Sequence, residues 1–235
     1  MNELIISKRL ETVASYVNKG AKIADIGSDH AYLPVYLVSQ GIADYAIAGE
    51  VNKGPLQAAE NQVKKYGYEE QIKTKLGNGL AVLEGEVIDT VTIAGMGGPL
   101  IADILEGGKE HLTYIERLIL QPNIAADRIR AWLIENNWQL IDEEILKEDG
   151  HIYEVLVAEP GDPLFLYGKN EVEKKVWLGP KLSSEKNNAF LEKWTKEHEQ
   201  LEKIKVKLSE ASAPNIESKQ SDIEKKITWL KEELS

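Results

Sequence analysis

Cysteine is absent from this chain of 235 residues, which excludes disulfides, zinc–thiolate centres and thiol catalysis. No apolar run approaches the roughly 20 residues that a membrane-spanning helix needs, so no membrane association is expected. His111, His151 and His198 have no carboxylate or imidazole partners at ligand spacing. They are read as surface residues, and no metal centre is expected. The first residues, Met1–Arg9, lack the basic-then-apolar layout of a signal peptide, and the expected location is the cytoplasm. Positive charge is in short supply, with 28 Lys and Arg against 39 Asp and Glu for a net charge of −11. That balance argues against non-specific affinity for nucleic acid. It is uneven, however: 14 basic residues face 25 acids up to Glu159, and 14 lysines face 14 acids from Gly161 on. The tail is therefore the less repulsive part towards a polyanion.

What is present reads as an α/β protein. The 43% hydrophobic and 29% charged composition suits one α/β domain with a smaller appendage. The periodicity predicts a helix over Leu4–Tyr16, a strand over Lys22–Ile26 and a helix over Tyr32–Gln40. It continues with a strand over Tyr45–Glu50, a helix from about Pro55 to Tyr66 and a strand over Ile72–Leu76. A strand over Ile88–Ala94, a helix over Pro99–Glu106, a strand over Arg117–Leu120 and a helix over Ala125–Asn137 follow. Two longer β patterns, Gln139–Leu146 and Ile152–Ala158, flank the turn Glu148-Asp-Gly150 and read as a hairpin. These β/α repeats make a doubly wound, mostly parallel sheet that the hairpin closes with one antiparallel strand.

After Pro160 the pattern changes, and two units are expected, residues 1–160 and 161–235. A short helix, Asn170–Trp177, precedes Gly179-Pro180. Phe190, Trp194, Leu201, Ile204, Leu208 and Ala211 follow helical spacing, as do Ile216, Ile223, Ile227, Leu230 and Leu234. Ser212-Ala-Pro214-Asn breaks the helix between them. The expectation is an antiparallel, coiled-coil-like helical hairpin zipped along its own apolar seam.

The richest segment is Ile23-Ala-Asp-Ile-Gly-Ser-Asp-His-Ala-Tyr-Leu-Pro34. A strand ending at a carboxylate, a glycine turn and a helix, then a second strand ending in Gly49-Glu50, is how an α/β sheet grips a nucleoside. A dinucleotide fingerprint needs Gly-x-Gly-x-x-Gly to seat a pyrophosphate. Here Asp29 stands at the second glycine, where a carboxylate would repel a pyrophosphate. A cationic ligand fits better, and S-adenosyl-L-methionine carries both an ammonium and a sulfonium.

Asp25-x-Gly27-x-Asp29, Glu50, Gly77-Asn78-Gly79 and Ala94-Gly-Met-Gly-Gly98 together resemble a class I methyltransferase. More narrowly, Asp25–Pro34, Ile-Ala-Gly-Met-Gly-Gly, Leu-Ile-Leu-Gln-Pro-Asn and the helical tail resemble the bacterial tRNA adenine-22 N1-methyltransferase family over nearly the whole chain. The resemblance implies a Rossmann-like sheet, S-adenosyl-L-methionine as cofactor and tRNA as partner. Gly27 and Ser28 would line the methionine portion, with Asp25 ordering the loop and attracting the ammonium. Glu50 would take the ribose diol, Val51 and Asn52 would lie against the adenine, and Asn78 between Gly77 and Gly79 would bond its edge. Ala94, Gly95, Met96 and Gly97 would form the wall beside the reactive methyl. A ring nitrogen needs no base to deprotonate it, so catalysis reduces to alignment and to stabilising a cationic product.

Asp29 is the first candidate for that stabilisation, with His30 and Tyr32 as positioners and Asn123 bonding the target base. Plainer roles stand beside these: Asp29 with His30 as a helix cap, and Asn123 as the cap of the helix near Ala125. Lys8, Arg9, Lys169, Lys174, Lys175, Lys181 and Lys186 are candidate phosphate contacts. Two other functions fit the residues: a small-molecule methyltransferase with a dimerising tail, or a non-catalytic cofactor-sensing module with a coiled-coil partner site. The sequence leaves the oligomeric state open, and a monomer is compatible with it.

Overall fold

The computed structural model describes residues 4–168, 170–209 and 216–235. Lys169, Ala211 and the Ser212–Asn215 break lie outside the described residues. Seven strands form one sheet in the order β3-β2-β1-β4-β5-β7-β6. The strands are β1 (Ala21–Ile26), β2 (Ala43–Glu50), β3 (Ile72–Leu76), β4 (Thr90–Gly97), β5 (Arg117–Ile124), β6 (Trp138–Glu148) and β7 (His151–Pro160). The first five are parallel, and β7 runs antiparallel between β5 and β6. Both faces are covered, as a parallel sheet requires. Period-two alternation divides the strand residues between two cores: Leu118, Leu120 and Leu156 face one, while Ile119, Val155 and Val157 face the other. Helices α1 (Lys8–Ser15), α2 (Tyr32–Ser39) and α3 (Lys53–Tyr66) cover the second face. Helices α4 (Gly98–Gly107) and α5 (Ala126–Glu135) cover the first.

Several boundaries differ from the sequence reading for identifiable reasons. Helix α1 starts at Lys8 rather than Leu4, because the Ser7 side chain accepts from the Leu10 N–H at 3.3 Å and ends the extended segment there. The carboxylate of Glu148 also takes the Lys8 and Arg9 amides at 2.6 and 3.1 Å, an anion on the positive end of the helix. Strand β4 extends through the glycine loop to Gly97, and β5 runs past Leu120 to Ile124. Their pairing survives through register shifts at Ala94/Met96 and Met96/Gly97. Gly95, at φ +80°, permits this irregularity. Asn123 therefore lies within a strand, not beyond one.

Beyond the sheet come α6 (Val172–Leu178), α7 (Pro180–Glu185), α8 (Asn188–Ser209) and α9 (Ile216–Leu234). The sequence reading missed α7, although Pro180 at its first turn marks a helix start. Helices α8 and α9 pack antiparallel: Glu202 pairs with Lys231, Lys205 with Glu224, and Gln220 donates to the Leu208 carbonyl at 3.2 Å. Ala189, Phe190, Trp194, Leu201, Ile227 and Leu230 are buried in the seam, whereas Ile204 and Leu208 are only half-buried. The seam is not the tail's alone. Its core includes Ile145 and Ile152 of the closing hairpin, and Tyr167, Leu166, Val172 and Val176 belong to the core of the sheet. The change of composition at residue 160 is thus not matched by a break in packing.

A buried charge network makes the joint. Arg130 of α5, with no exposed surface, donates Nε to Glu143 of β6 and Nη2 to Glu154 of β7, both at 2.5 Å. Its Nη1 reaches the Val176 carbonyl at 3.3 Å, the Lys181 amide donates to Glu143 at 3.0 Å, and Lys193 of α8 pairs with Glu154. Burial by itself would raise the Glu154 pKa, but Lys193 and Arg130 outweigh it and hold the carboxyl down at about 2. Removing one partner of such a cluster strands the other charges. Arg130→Met is expected to lose about 3–5 kcal/mol in urea denaturation. Arg130→Met with Glu143→Gln should recover part of that loss, because one stranded carboxylate is then neutral.

Candidate functional site

The carboxyl ends of β1, β4 and β5 surround a cavity of about 350 Å³ lined by Asp25, Ser28, Tyr32, Met96, Asn123 and Arg9, among others. Asp25 precedes Ile26 at the end of β1. The chain then turns at Gly27 (φ +70°), whose amide and that of Ser28 donate to the Gly49 carbonyl at 2.9 and 3.1 Å. The side chain of Met96 packs over Gly27 so closely that a Cβ there would overlap its terminal methyl. Asp29, His30 and Ala31 follow with φ of 37°, 65° and 54°, three successive left-handed residues without a glycine. Such a run is strained, and it persists only when its surroundings hold it. One restraint is Glu50 at the end of β2, whose Oε1 accepts the Asp29 amide at 2.7 Å.

This loop corrects the capping alternative. The cap position of α2 is Ala31 and no side chain bonds there, so Asp29 and His30 do not cap the helix. Asp29 lines the cavity instead, and the His30 side chain is exposed beside it. The Asp29 carboxylate, 83% exposed, meets His30 Nδ1 at 2.7 Å, and the His30 ring stacks on Tyr32 at 5.6 Å. Asn123 likewise does not cap α5, whose cap residue is Ala125. Its Nδ2 donates across to the Gly95 carbonyl at 2.8 Å.

Asp25 is the electrostatic centre of the cavity. Its carboxylate is buried, with Oδ2 accepting from the Ser28 hydroxyl at 2.6 Å and Oδ1 from the Thr92 hydroxyl at 2.7 Å. Burial is the largest influence and pushes its pKa up to about 6, while the two hydroxyls pull it partly back. No cation forms an ion pair with it among the described residues. A buried carboxylate whose two hydrogen-bond donors are neutral hydroxyls, in a cavity it shares with Arg9, is suited to a ligand that brings positive charge.

The other expected site residues divide. Gly27, Ser28, Asp29, Ala94, Gly95, Met96 and Asn123 share the cavity with Asp25. Asn78 and Gly79 line a second cavity, of about 320 Å³, with Leu100, Asp103 and His111. Gly77 is joined to the Glu50 carbonyl through its amide at 2.8 Å. Val51 and Asn52 are exposed at the start of α3, and Gly97 ends β4. Thr92, Gln121 and Tyr153 were not singled out in the sequence. A glutamine inside the apolar run Leu118-Ile-Leu-Gln-Pro was the readable signal for Gln121.

The expected phosphate contacts of the tail fare differently. Lys174 is buried among Glu171, Glu232 and Glu233, and ties α6 to α9. Lys181 pairs with Asp142 and Glu185, and Lys186 with Glu233. Lys175 donates to the Tyr167 carbonyl at 2.8 Å. In this structure all four side chains make contacts within the chain. Lys8 is exposed and Arg9 reaches the cavity. His198 is half-buried rather than a surface residue, and its Nε2 has no hydrogen-bond partner. Among the described residues there is no cluster that could hold a metal ion, and no helix is long and apolar enough to cross a membrane.

Comparison with known proteins agrees with this geometry. The TrmK family, described as tRNA (adenine(22)-N(1))-methyltransferase, matches residues 23–232. The tRNA (adenine(22)-N(1))-methyltransferase of Bacillus subtilis (strain 168) is 52% identical over 212 residues, covering 90% of this chain and 89% of that one. The crystal structure of the B. subtilis m1A22 tRNA methyltransferase TrmK superposes with a TM-score of 0.95 at 49% identity, covering 99% of this chain and 100% of that one. Streptococcus pneumoniae Sp1610 in complex with S-adenosyl-L-methionine gives a TM-score of 0.86 at 45% identity, over 98% and 100% of the two chains.

The raised pKa of Asp25 has a stability consequence of definite sign. A carboxyl whose folded pKa lies above its unfolded value of 3.8 favours the fold below that value and loses this contribution as pH rises through about 6. Ionised Asp25 therefore costs the protein about 3 kcal/mol at neutral pH. Asp25→Asn is expected to be more stable than the parent at pH 7–8 by up to that amount. Denaturation at a series of pH values should show the two curves converging below about pH 4.

Proposed function

The chain belongs to the tRNA (adenine(22)-N(1))-methyltransferase family, and from that premise we propose that it transfers a methyl group from S-adenosyl-L-methionine to N1 of adenine 22 in the D-arm region of tRNA. The observation that carries the choice of cofactor is the buried Asp25 carboxylate, which faces the cavity without an ion-pair partner. When bound, S-adenosyl-L-methionine supplies an electrophilic methyl on a sulfonium. Asp25 would meet its ammonium, with Gly27 and Ser28 beside the methionine chain. Glu50 would receive the ribose hydroxyls on the oxygen not used by Asp29. Val51, Asn52 and Asn78 would lie towards the adenine, with Gly77 and Gly79 giving it room.

N1 of adenine attacks with its own lone pair, so the residues need to exclude water, align the ring and stabilise the cation that forms. Ala94, Gly95, Met96 and Gly97 would wall the reaction site. Tyr32, stacked on His30, offers an aromatic face for a base drawn out of its RNA context. Asn123, which donates to the Gly95 carbonyl and lines the cavity, would bond the base edge, and the exposed Asp29 carboxylate would stabilise the positive charge. Residues 1–160 would carry the chemistry, and residues 161–235 would engage the folded tRNA, largely by shape and backbone contacts. A cytoplasmic location is part of this reading.

The deciding assay is methyl transfer from labelled cofactor to unmodified tRNA, with nucleoside analysis. Label is expected in 1-methyladenosine, and a tRNA with guanine at position 22 should receive none. Label in a small metabolite or in another nucleoside would overturn the reading. Glu50→Ala is expected to weaken cofactor affinity about tenfold or more, through two lost hydrogen bonds of about 1 kcal/mol each. It should also lower turnover at saturating cofactor, because the Asp29 amide loses its acceptor. Calorimetry and steady-state kinetics separate the two effects.

A further inference from the structure

The chain holds two methionines, Met1 and Met96, and no thiol. Met1 lies outside the described residues, so Met96 carries the only sulfur among them. It stands in the bulged end of β4, half-buried, and lines the functional cavity with Asp25, Ser28 and Asp29. Its side chain covers the Gly27 turn: a Cβ on Gly27 would overlap its terminal methyl, and its Sδ lies 4.0 Å from that point. A thioether is therefore part of the surface against which the methionine portion of the cofactor would rest.

The backbone that carries this sulfur has little freedom. Gly95 is held through its N–H, which donates to Gln121 Oε1 at 3.0 Å, and through its C=O, which accepts from Asn123 at 2.8 Å. The same Gln121 oxygen accepts from Arg9, and its Nε2 donates to the Pro122 carbonyl at 2.8 Å and to Asn123 Oδ1 at 3.4 Å. On the other side Gly98 approaches the Ala125 carbonyl so closely that a Cβ would overlap it. An atom added to the sulfur has to be accommodated by the side chain alone.

We propose that Met96 is an oxidative modification site, at which a peroxide-class oxidant converts the thioether to a sulfoxide and lowers the affinity of the cavity for the methyl donor. The sulfur lone pair attacks one peroxide oxygen and the O–O bond breaks. The departing hydroxide takes the proton left on the transferred oxygen, so sulfur loses two electrons and the peroxide is reduced to water. The product is a polar, chiral side chain, and the step is enzymatically reversible. The new oxygen has two places to go. Turned outward, it fills room over Gly27 in the cavity. Turned inward, it enters the apolar core against which Met96 packs, where an oxygen without a donor is costly. The accompanying loss of methyl transfer rests on the reading above.

The test treats the parent and Met96→Leu, a swap that keeps volume, with hydrogen peroxide. Peptide mass spectrometry, S-adenosylhomocysteine calorimetry, circular dichroism and tRNA methylation are each compared with the same protein untreated. In the parent, the peptide holding Met96 is expected to gain the mass of one oxygen. Affinity for S-adenosylhomocysteine should fall about tenfold in step with that gain, the cost of one unsatisfied polar group, with the dichroism unchanged. Saturating S-adenosylhomocysteine should slow the oxidation by covering the sulfur. Met96→Leu, which keeps Met1, should hold its own starting affinity and activity through the same treatment. Complete oxidation of Met96 with unchanged affinity would overturn the proposal, as would an equal loss in Met96→Leu or a loss that follows unfolding. So would an oxidation rate indifferent to S-adenosylhomocysteine, or a Met96 that stays unoxidised while Met1 reacts. Failure of the untreated parent to methylate tRNA, with its S-adenosylhomocysteine binding intact, would instead overturn the reading on which the loss of activity rests.

Discussion

The charge of Arg130 has no access to water, and satisfying it organises the outer half of the molecule. A buried guanidinium is tolerable only with partners for both its charge and its donors. Glu143 and Glu154 sit on the two strands of the closing hairpin, and Val176 begins to draw in the helices that follow. Glu143 then accepts the Lys181 amide at the start of α7, and Glu154 takes Lys193 from α8. Gly179 is required at this joint, because a Cβ there would press on the guanidinium and on Leu182. One charge thus sets where the sheet ends and where the helical hairpin departs.

Asp25 is the counterpart, and the contrast separates structure from function. Both groups are buried, but Arg130 is surrounded by opposite charge and Asp25 is met only by two hydroxyls. The first arrangement stabilises the fold; the second leaves an unmet demand that a cationic ligand answers. The same logic appears along the loop after β1. Three left-handed residues in succession cost conformational energy, and Glu50 at the end of β2 supplies a restraint on them. Arg9 adds a positive charge to the same cavity, held by the neutral amide of Gln121.

Much of this was legible in the linear order of residues. Asp25, Gly27 and Glu50 announce strand ends and a nucleoside grip because short-range turn chemistry and period-two burial are written locally. The antiparallel hairpin was legible for the same reason, through Glu148-Asp-Gly150 between two β patterns. The extension of β4 and β5 through Gly95 and Asn123 was not, because a bulged pairing depends on the partner strand. The pairing of the tail lysines was not legible: on a helix, lysine among glutamates looks the same whether it faces solvent or, like Lys174, meets Glu171 at the start of its own helix and two carboxylates of α9.

The chain's own order of residues determined the α/β class, the cofactor-type loop with an acid in place of a glycine, and the exclusion of thiol and zinc–thiolate chemistry. These follow from local backbone preference, periodicity and composition, which need no knowledge of distant neighbours. Tertiary structure alone decided that Asp25 is buried without an ion-pair partner, that Asn78 lines a separate cavity, and that Gln121 joins Arg9 to Gly95 and Asn123. It also decided that the helical tail is fastened to the sheet through Arg130. Each of these depends on desolvation and on partners as far as 112 positions away in sequence, and neither quantity exists until the chain has folded.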